Sequence, residues 1–280
     1  MARHALFVDE LAVPSVEAAL SGGWRITRVE EGRLALTWLR HNPPELVLVG
    51  RRPADVSAAD FVRTVKADHD FSLLPLVQVA AGGSGLALAF SVRAGGVRAE
   101  PDAWLDPTQP GEVGACIAEA LAARAERQRE GARADLRLSV SSGLEHLDEV
   151  NSLFREWFAG CGFSGQASQQ LTLAVRELVA NAIEWGHGQD RSLDVTVHAR
   201  LDHEKASVLV RDTGPGFDPT SVPHAARPGD PLGHLAVRSS LRLREGGFGI
   251  LMTRGMVDQL CYNASGNEAC LVKYLPRGRK

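Results

Sequence analysis

Three short clusters in the second half of this 280-residue chain hold the polar and glycine residues whose types and spacing can do chemistry. The first is Glu177-Leu178-Val179-Ala180-Asn181, within an otherwise apolar stretch of helical spacing. Four residues apart, Glu177 and Asn181 share one helical face and sit about 5–6 Å from each other. An amide oxygen suits a hard cation such as Mg²⁺, and a carboxylate one turn away can take the proton of a hydroxyl beside it. Taken alone, the pair reads as a solvated polar face. The second cluster, Arg211-Asp212-Thr213-Gly214-Pro215-Gly216-Phe217, comes directly after a strand-like run. Its glycines let a ligand approach the backbone, and Asp212 can accept a hydrogen bond from an exocyclic amine such as that of adenine. The ordinary alternative is an Asp-Thr-Gly turn. The third cluster, Gly246-Gly247-Phe248-Gly249, opens a helix, where free N–H groups and the helix dipole favour phosphate.

The elements that must position these clusters can be read from hydrophobic period. Leu136 to Val140 alternates as a half-buried strand does. Leu147, Val150, Phe154, Trp157 and Phe158 fall on one helical face, as do Leu171, Val175, Leu178, Ala182 and Trp185. Val195–Leu201 and Ala206–Val210 form a hairpin around Asp202-His203-Glu204. A helix over 248–257 and a closing hairpin, 260–262 with 269–275, complete an α+β sandwich with helices on one face of the sheet. The first half differs. Apolar runs at 5–8, 25–29, 46–49, 75–80 and 103–105 alternate with helical patterns, which predicts a doubly wound α/β fold with a five-stranded parallel sheet.

In this order and spacing the three clusters resemble the N, G1 and G2 boxes of the GHKL (Bergerat) ATPases, which include the histidine kinases. The closer similarity is to the anti-sigma-factor serine kinases. Their pattern is matched by Glu177-Leu178-Val179-Ala180-Asn181-Ala182, by Asp212-Thr213-Gly214-Pro215-Gly216 and by Glu245-Gly246-Gly247-Phe248-Gly249, over about 135–275. The resemblance implies an ATP- and Mg²⁺-dependent serine/threonine protein kinase of a bacterial partner-switching system. Its substrate would be an anti-sigma-factor antagonist protein, with a sigma factor or other effector as a second partner and a homodimer as its assembly. Glu177 would be the general base, Asn181 would ligate Mg²⁺ and Asp212 would hold the adenine amine. Gly214 and Gly216 would shape the adenine side, Gly247 and Gly249 would meet phosphates, and Arg244 would neutralise them at the end of a lid over 218–244. One departure stands at the helix end, where the family has His-Gly and this chain has Trp185-Gly186-His187; His187 reads as a helix-end residue, with a shifted equivalent of the family histidine as the alternative. A nucleotide-gated interaction module that binds ATP without phosphotransfer is the alternative, and a histidine-kinase-like ATPase another. Against the latter, His146 lacks the Arg-Thr-Pro continuation of a phospho-accepting box.

The first half resembles the receiver domain of response regulators, with Asp9-Glu10 as the acidic pair after strand one. The expected phospho-acceptor position holds Gly50, with Arg51 and Arg52 next to it; Ala80 and Ala81 stand where a hydroxyl is usual, and Asp106-Pro107 where Lys-Pro is. Aspartyl phosphorylation then has neither nucleophile nor charge neutralisation, and Asp55 lies too far past strand three to replace the acceptor. A pseudo-receiver over 1–122, a charged helical linker over 123–134 and an ATP-binding kinase domain over 135–280 are expected.

Composition narrows the partners. Lys and Arg number 31 against 34 Asp and Glu, a net charge of −3. Fourteen basic face seventeen acidic residues up to Glu130, and seventeen face seventeen after it. Neither half has the basic excess of a nucleic-acid binder. The uncharged run Leu73–Phe90 is broken by Pro75 and three glycines, so no membrane span and a cytoplasmic protein are expected. Cys116, Cys161, Cys261 and Cys270 include no CxxC pair. Cys261 and Cys270 flank the turn-like Asn263-Ala264-Ser265-Gly266-Asn267, which can set them on facing strands, although reduced thiols are the ordinary state in the cytosol.

Overall fold

The computed structural model describes residues 3–10, 14–20, 22–51, 53–79, 96–106, 109–217 and 249–276. The chain separates into two compact units, Met1–Ala94 with Arg98–Leu136, and Gly95–Val97 with Arg137–Lys280. The stretch 123–134, expected as a linker, falls within the first.

In the first unit the strands are β1 (Arg3–Val8), β2 (Trp24–Val29), β3 (Leu46–Val49) and β4 (Leu76–Val79), with helices α1 (Pro14–Leu20), α2 (Gly32–His41) and α3 (Ala58–Ala67) between them. Next come two three-residue strands, β5 (Val97–Ala99) and β6 (Ala103–Leu105), and the long helix α4 (Val113–Arg129). Strand order is β2-β1-β3-β4-β6, every pairing parallel. All four residues of β3 are buried, as a central strand covered on both faces requires. Phe7, Leu46, Leu48, Val77 and Leu105 meet Val113, Ile117 and Ala120 of α4 in one core.

The end of α4 is held by charge. Lys66 and Asp102 are almost fully buried, with Nζ 2.6 Å from Oδ2, and Nζ also donates to the carbonyls of Ser72 and Leu74. Arg127 Nη2 lies 2.7 Å from Asp102 Oδ1 and its Nη1 4.0 Å from Asp135; the contact to Asp102 is an ion pair without an aligned hydrogen bond. Burial pushes the Lys66 ammonium below its ordinary range, against Asp102, which raises it.

The second unit is built on β7 (Ala134–Ser141), α5 (Leu147–Gly160), α6 (Gly165–Asn181), β8 (Asp194–Leu201), β9 (Lys205–Arg211), α7 (Gly249–Met256), β10 (Gln259–Tyr262) and β11 (Glu268–Tyr274). The sheet runs β10-β11-β9-β8-β7-β5, and the pairs from β10 through β8 are antiparallel. Short β5, with its central Arg98, was not foreseen from the sequence; it adds an edge to this second sheet. Strands β8 and β9 alternate between buried and half-buried residues, the mark of a sheet covered on one face. The covering helices bury the residues that period selected: Val150, Phe154, Trp157 and Phe158 from α5, and Leu171, Val175 and Leu178 from α6. Ser164 caps α6 by accepting the N–H of Ala167 at 3.2 Å. Both fold classes expected from the sequence are present. No helix among the described residues is long and apolar enough to cross a membrane. Residues 80–90 of the uncharged run lie outside the described residues.

Candidate functional site

The helix α6 delivers Glu177 and Asn181 in its last turns, both half-buried. Neither side chain makes a hydrogen bond or ion pair to another described residue. The first residue of α7, Gly249, faces them. A Cβ built there would lie 2.6 Å from Glu177 Oε2 and 3.9 Å from Asn181 Nδ2. The lack of a side chain at 249 therefore keeps a cradle open between the two helices. That cradle fits Mg²⁺, which is held by few protein oxygens plus those of a phosphate.

Beyond Asn181 the helix does not stop cleanly. Ala182–Gly186 forms a π-turn, closed by the His187 N–H donating to the Ala182 carbonyl at 2.9 Å. Such a turn inserts one extra residue and re-aims the chain beyond it. Here it presses Gly186 against Asp212, where a Cβ would lie 2.4 Å from the carboxylate carbon. A Cβ on Gly214 would in turn lie 2.1 Å from the Gly186 carbonyl oxygen. Only glycine fits at either position.

Asp212 is buried at the end of β9. Its Oδ1 accepts the Gly214 N–H at 2.9 Å, and its own N–H donates to the Asn267 carbonyl at 3.0 Å. Burial pushes its carboxyl above the ordinary range, and the Gly214 N–H and nearby His187 hold it down only in part. Its second oxygen has no hydrogen-bond partner among the described residues, and a desolvated carboxylate oxygen is a strong acceptor. Gly216 comes next with a positive φ of 72° and packs against the turn between β10 and β11, with its Cβ position 1.9 Å from the Ser265 carbonyl oxygen.

His187 is the helix-end residue expected, but it is buried and bonded at both ring nitrogens. The Thr213 N–H donates to Nε2 at 2.9 Å, so Nδ1 carries the proton and donates to Ser142 Oγ at 2.6 Å. Ser142, just past β7, and Thr213, beside Asp212, are thereby fixed to the end of α6. Sequence reading missed this strut. Ser142 gives no signal in the chain, and only the departure at Trp185-Gly186-His187 marked the place. Trp185 itself is exposed.

Glu177, Asn181 and Gly249 thus converge, while Asp212, Gly214 and Gly216 form a second group joined to α6 through Gly186 and His187. Residues 140–273, just under half of the chain, match the family of the histidine kinase-like ATPase domain. The match falls wholly within the second unit. Its relatives include the serine-protein kinase RsbW of Oceanobacillus iheyensis, 24% identical over 102 residues, which are 36% of this chain and 61% of that one. RsbW of Bacillus subtilis is 26% identical over 115 residues, 41% of this chain and 69% of that protein. The chain thus spans about three fifths of the length of the first of these kinases. Within the matched stretch, Gly247, Arg244 and the residues 218–244 expected to form a lid lie outside the described residues. Metal-ligand clusters of three or more His, Cys, Asp or Glu are absent among the described residues.

The first unit is similar to the receiver domain of a signal transduction histidine kinase from Syntrophus aciditrophicus, with 17% identity, a TM-score of 0.36, and 44% of this chain and 92% of that one covered. It is also similar to a chemotaxis response regulator of Vibrio cholerae, with 14% identity, a TM-score of 0.34, and coverage of 42% and 99%. In this unit the acidic end of β1 is closed in on itself. Asp9 is buried, and its Oδ2 accepts the Arg51 N–H at 3.0 Å. A Cβ on Gly50 would fall 1.6 Å from that same oxygen. Asp55 caps α2 instead, accepting the N–H groups of Gly32 at 2.6 Å and Arg33 at 3.2 Å. Ala80, Ala81, Arg52 and Pro107 lie outside the described residues.

Proposed function

We propose that this chain is an ATP- and Mg²⁺-dependent serine/threonine protein kinase of a partner-switching pathway. Its receiver-like domain regulates without being phosphorylated. The observation that carries the reading is the pair Glu177 and Asn181, side by side with no partner among the described residues and facing Gly249 at the start of α7. A pure nucleotide binder needs the amide and the glycines; the Glu177 carboxylate is the group that only a transfer reaction uses. The relatives named serine-protein kinases point the same way.

In this reading Asp212 accepts the adenine amine, and Gly186 and Gly214 keep the backbone close enough for that contact. Asn181 offers its amide oxygen to Mg²⁺, which when bound neutralises phosphate charge. Gly247, Gly249 and Arg244 attend the phosphates. Glu177 takes the proton of a substrate serine as its oxygen bonds to the γ-phosphorus and the bond to ADP breaks. The phosphoryl acceptor is a small anti-sigma-factor antagonist protein, and a sigma factor or other effector is the competing partner of a homodimer in the cytoplasm.

The test is transfer of the γ-phosphoryl group to antagonist proteins encoded beside this chain. Glu177→Ala is expected to lower the transfer rate by about 10²–10⁴-fold with ATP affinity retained, the range for loss of a general base. Equal rates for both proteins would overturn the assignment of Glu177.

A further inference from the structure

Cys261 and Cys270 stand directly opposite each other in the register of β10 and β11. Two positions along the same ladder the Asn263 N–H donates to the Glu268 carbonyl at 3.0 Å, so by alternation Cys261 and Cys270 are a hydrogen-bonded pair. Such pairs have Cα atoms about 5.5 Å apart, inside the roughly 4.4–6.8 Å span of disulfides. Both side chains leave the sheet on one face. Their neighbours Leu260, Tyr262, Ala269 and Leu271 take the other, the face on which Ala269 and Leu271 are buried. Cys261 is exposed on the edge strand, and half-buried Cys270 lies between it and Leu209 of β9.

We propose that Cys261 and Cys270 form a reversible intrachain disulfide that fastens the β10–β11 hairpin. The hairpin matters because its turn buttresses the Asp212 segment. Asn267 accepts the Asp212 N–H, Ser265 packs on Gly216, and the Phe217 and Tyr262 rings meet edge to face at 5.4 Å. The oxidant is a low-molecular-weight disulfide such as glutathione disulfide. The Cys261 thiolate attacks it, its S–S bond breaks, a mixed disulfide forms on Cys261 and one glutathione leaves. Cys270 then loses its proton and attacks the Cys261 sulfur, expelling the second glutathione. Two protein thiols and one glutathione disulfide become one protein disulfide and two glutathiones. Burial and the neighbouring Cys261 push the Cys270 thiol up, so the exposed Cys261 makes the first attack.

The experiment uses the full-length protein, incubated with glutathione disulfide, alkylated and mapped by mass spectrometry. A peptide linked through Cys261 and Cys270 is expected, with both thiols lost to alkylation together and restored by dithiothreitol. Hydrogen exchange at the Asp212 amide and across 263–267 should slow severalfold on oxidation. Cys270→Ser should trap glutathione on Cys261, and Cys261→Ser should leave Cys270 unmodified. Independent alkylation of both thiols after oxidation, linkage only between two chains, or unchanged exchange in the linked form would each overturn the proposal. None of these readouts depends on nucleotide, so a failure here is separate from a failure of the kinase reading.

Discussion

Replacing Asp212 by Asn should stabilise the protein while removing most of its affinity for ATP. The substitution is nearly isosteric, and the Gly214 N–H bonded to Oδ1 at 2.9 Å keeps an acceptor in the amide oxygen. The change falls on the second position, where a carboxylate oxygen becomes an amide donor. An adenine amine would then face another donor. A hydrogen bond to a charged acceptor contributes about 1.5–3 kcal/mol, and leaving donors unpaired in a buried site costs a further 1–3 kcal/mol. At roughly 1.4 kcal/mol per tenfold, a loss near 3 kcal/mol weakens ATP about 150-fold. Stability moves the other way because burial raises the Asp212 carboxyl in the folded state. A raised carboxyl stabilises the fold fully below its unfolded value, about 3.9, and that contribution is lost as pH climbs through the folded value. Wild type therefore declines relative to Asp212→Asn as pH rises from 4 to 7. Titration calorimetry gives the affinity, and melting curves across that range give the stability difference. A variant that binds ATP like wild type, or that loses stability relative to it as pH rises, would refute the reasoning.

Two further substitutions probe the supports of the two units. His187→Ala removes both bonds of the strut and empties the buried place of its ring, so unfolding should become easier by about 2–4 kcal/mol in urea titrations. In the first unit, Gly50→Asp should not create a phosphorylatable receiver, since its Cβ would fall on the Asp9 carboxylate. A loss of about 1–3 kcal/mol and no mass gain with an acyl phosphate donor are expected.

The parts of the fold that were legible are those where burial is apolar and periodic. Leu46–Val49 reads as a central strand because all four side chains must be covered, and Leu171, Val175 and Leu178 read as a helical face because the spacing repeats. The pair Glu177 and Asn181 was legible for the same reason, as polar residues on a stripe otherwise filled by core. Burial achieved by pairing polar groups left no such trace. Arg127 looked like one more solvated residue of a charged helix, yet it is buried against Asp135, past the helix end, and Asp102, 25 positions earlier. His187 likewise depends on Ser142, 45 positions earlier, and Thr213, 26 later. Period cannot announce partners at such distances. Strand β5 was missed because three residues centred on an arginine carry too little pattern; the ladder assigns it to the second sheet.

The central claim is that Asn181, Asp212 and the glycines around them hold Mg-ATP. Its most direct test is calorimetric titration of Mg-ATP into the full chain and into Asn181→Ala. Saturable binding by the wild type, abolished or at least tenfold weaker in the variant and in wild type stripped of Mg²⁺, is the predicted result. A wild-type chain that takes up no ATP, or an Asn181→Ala chain that binds it undiminished, would contradict the account.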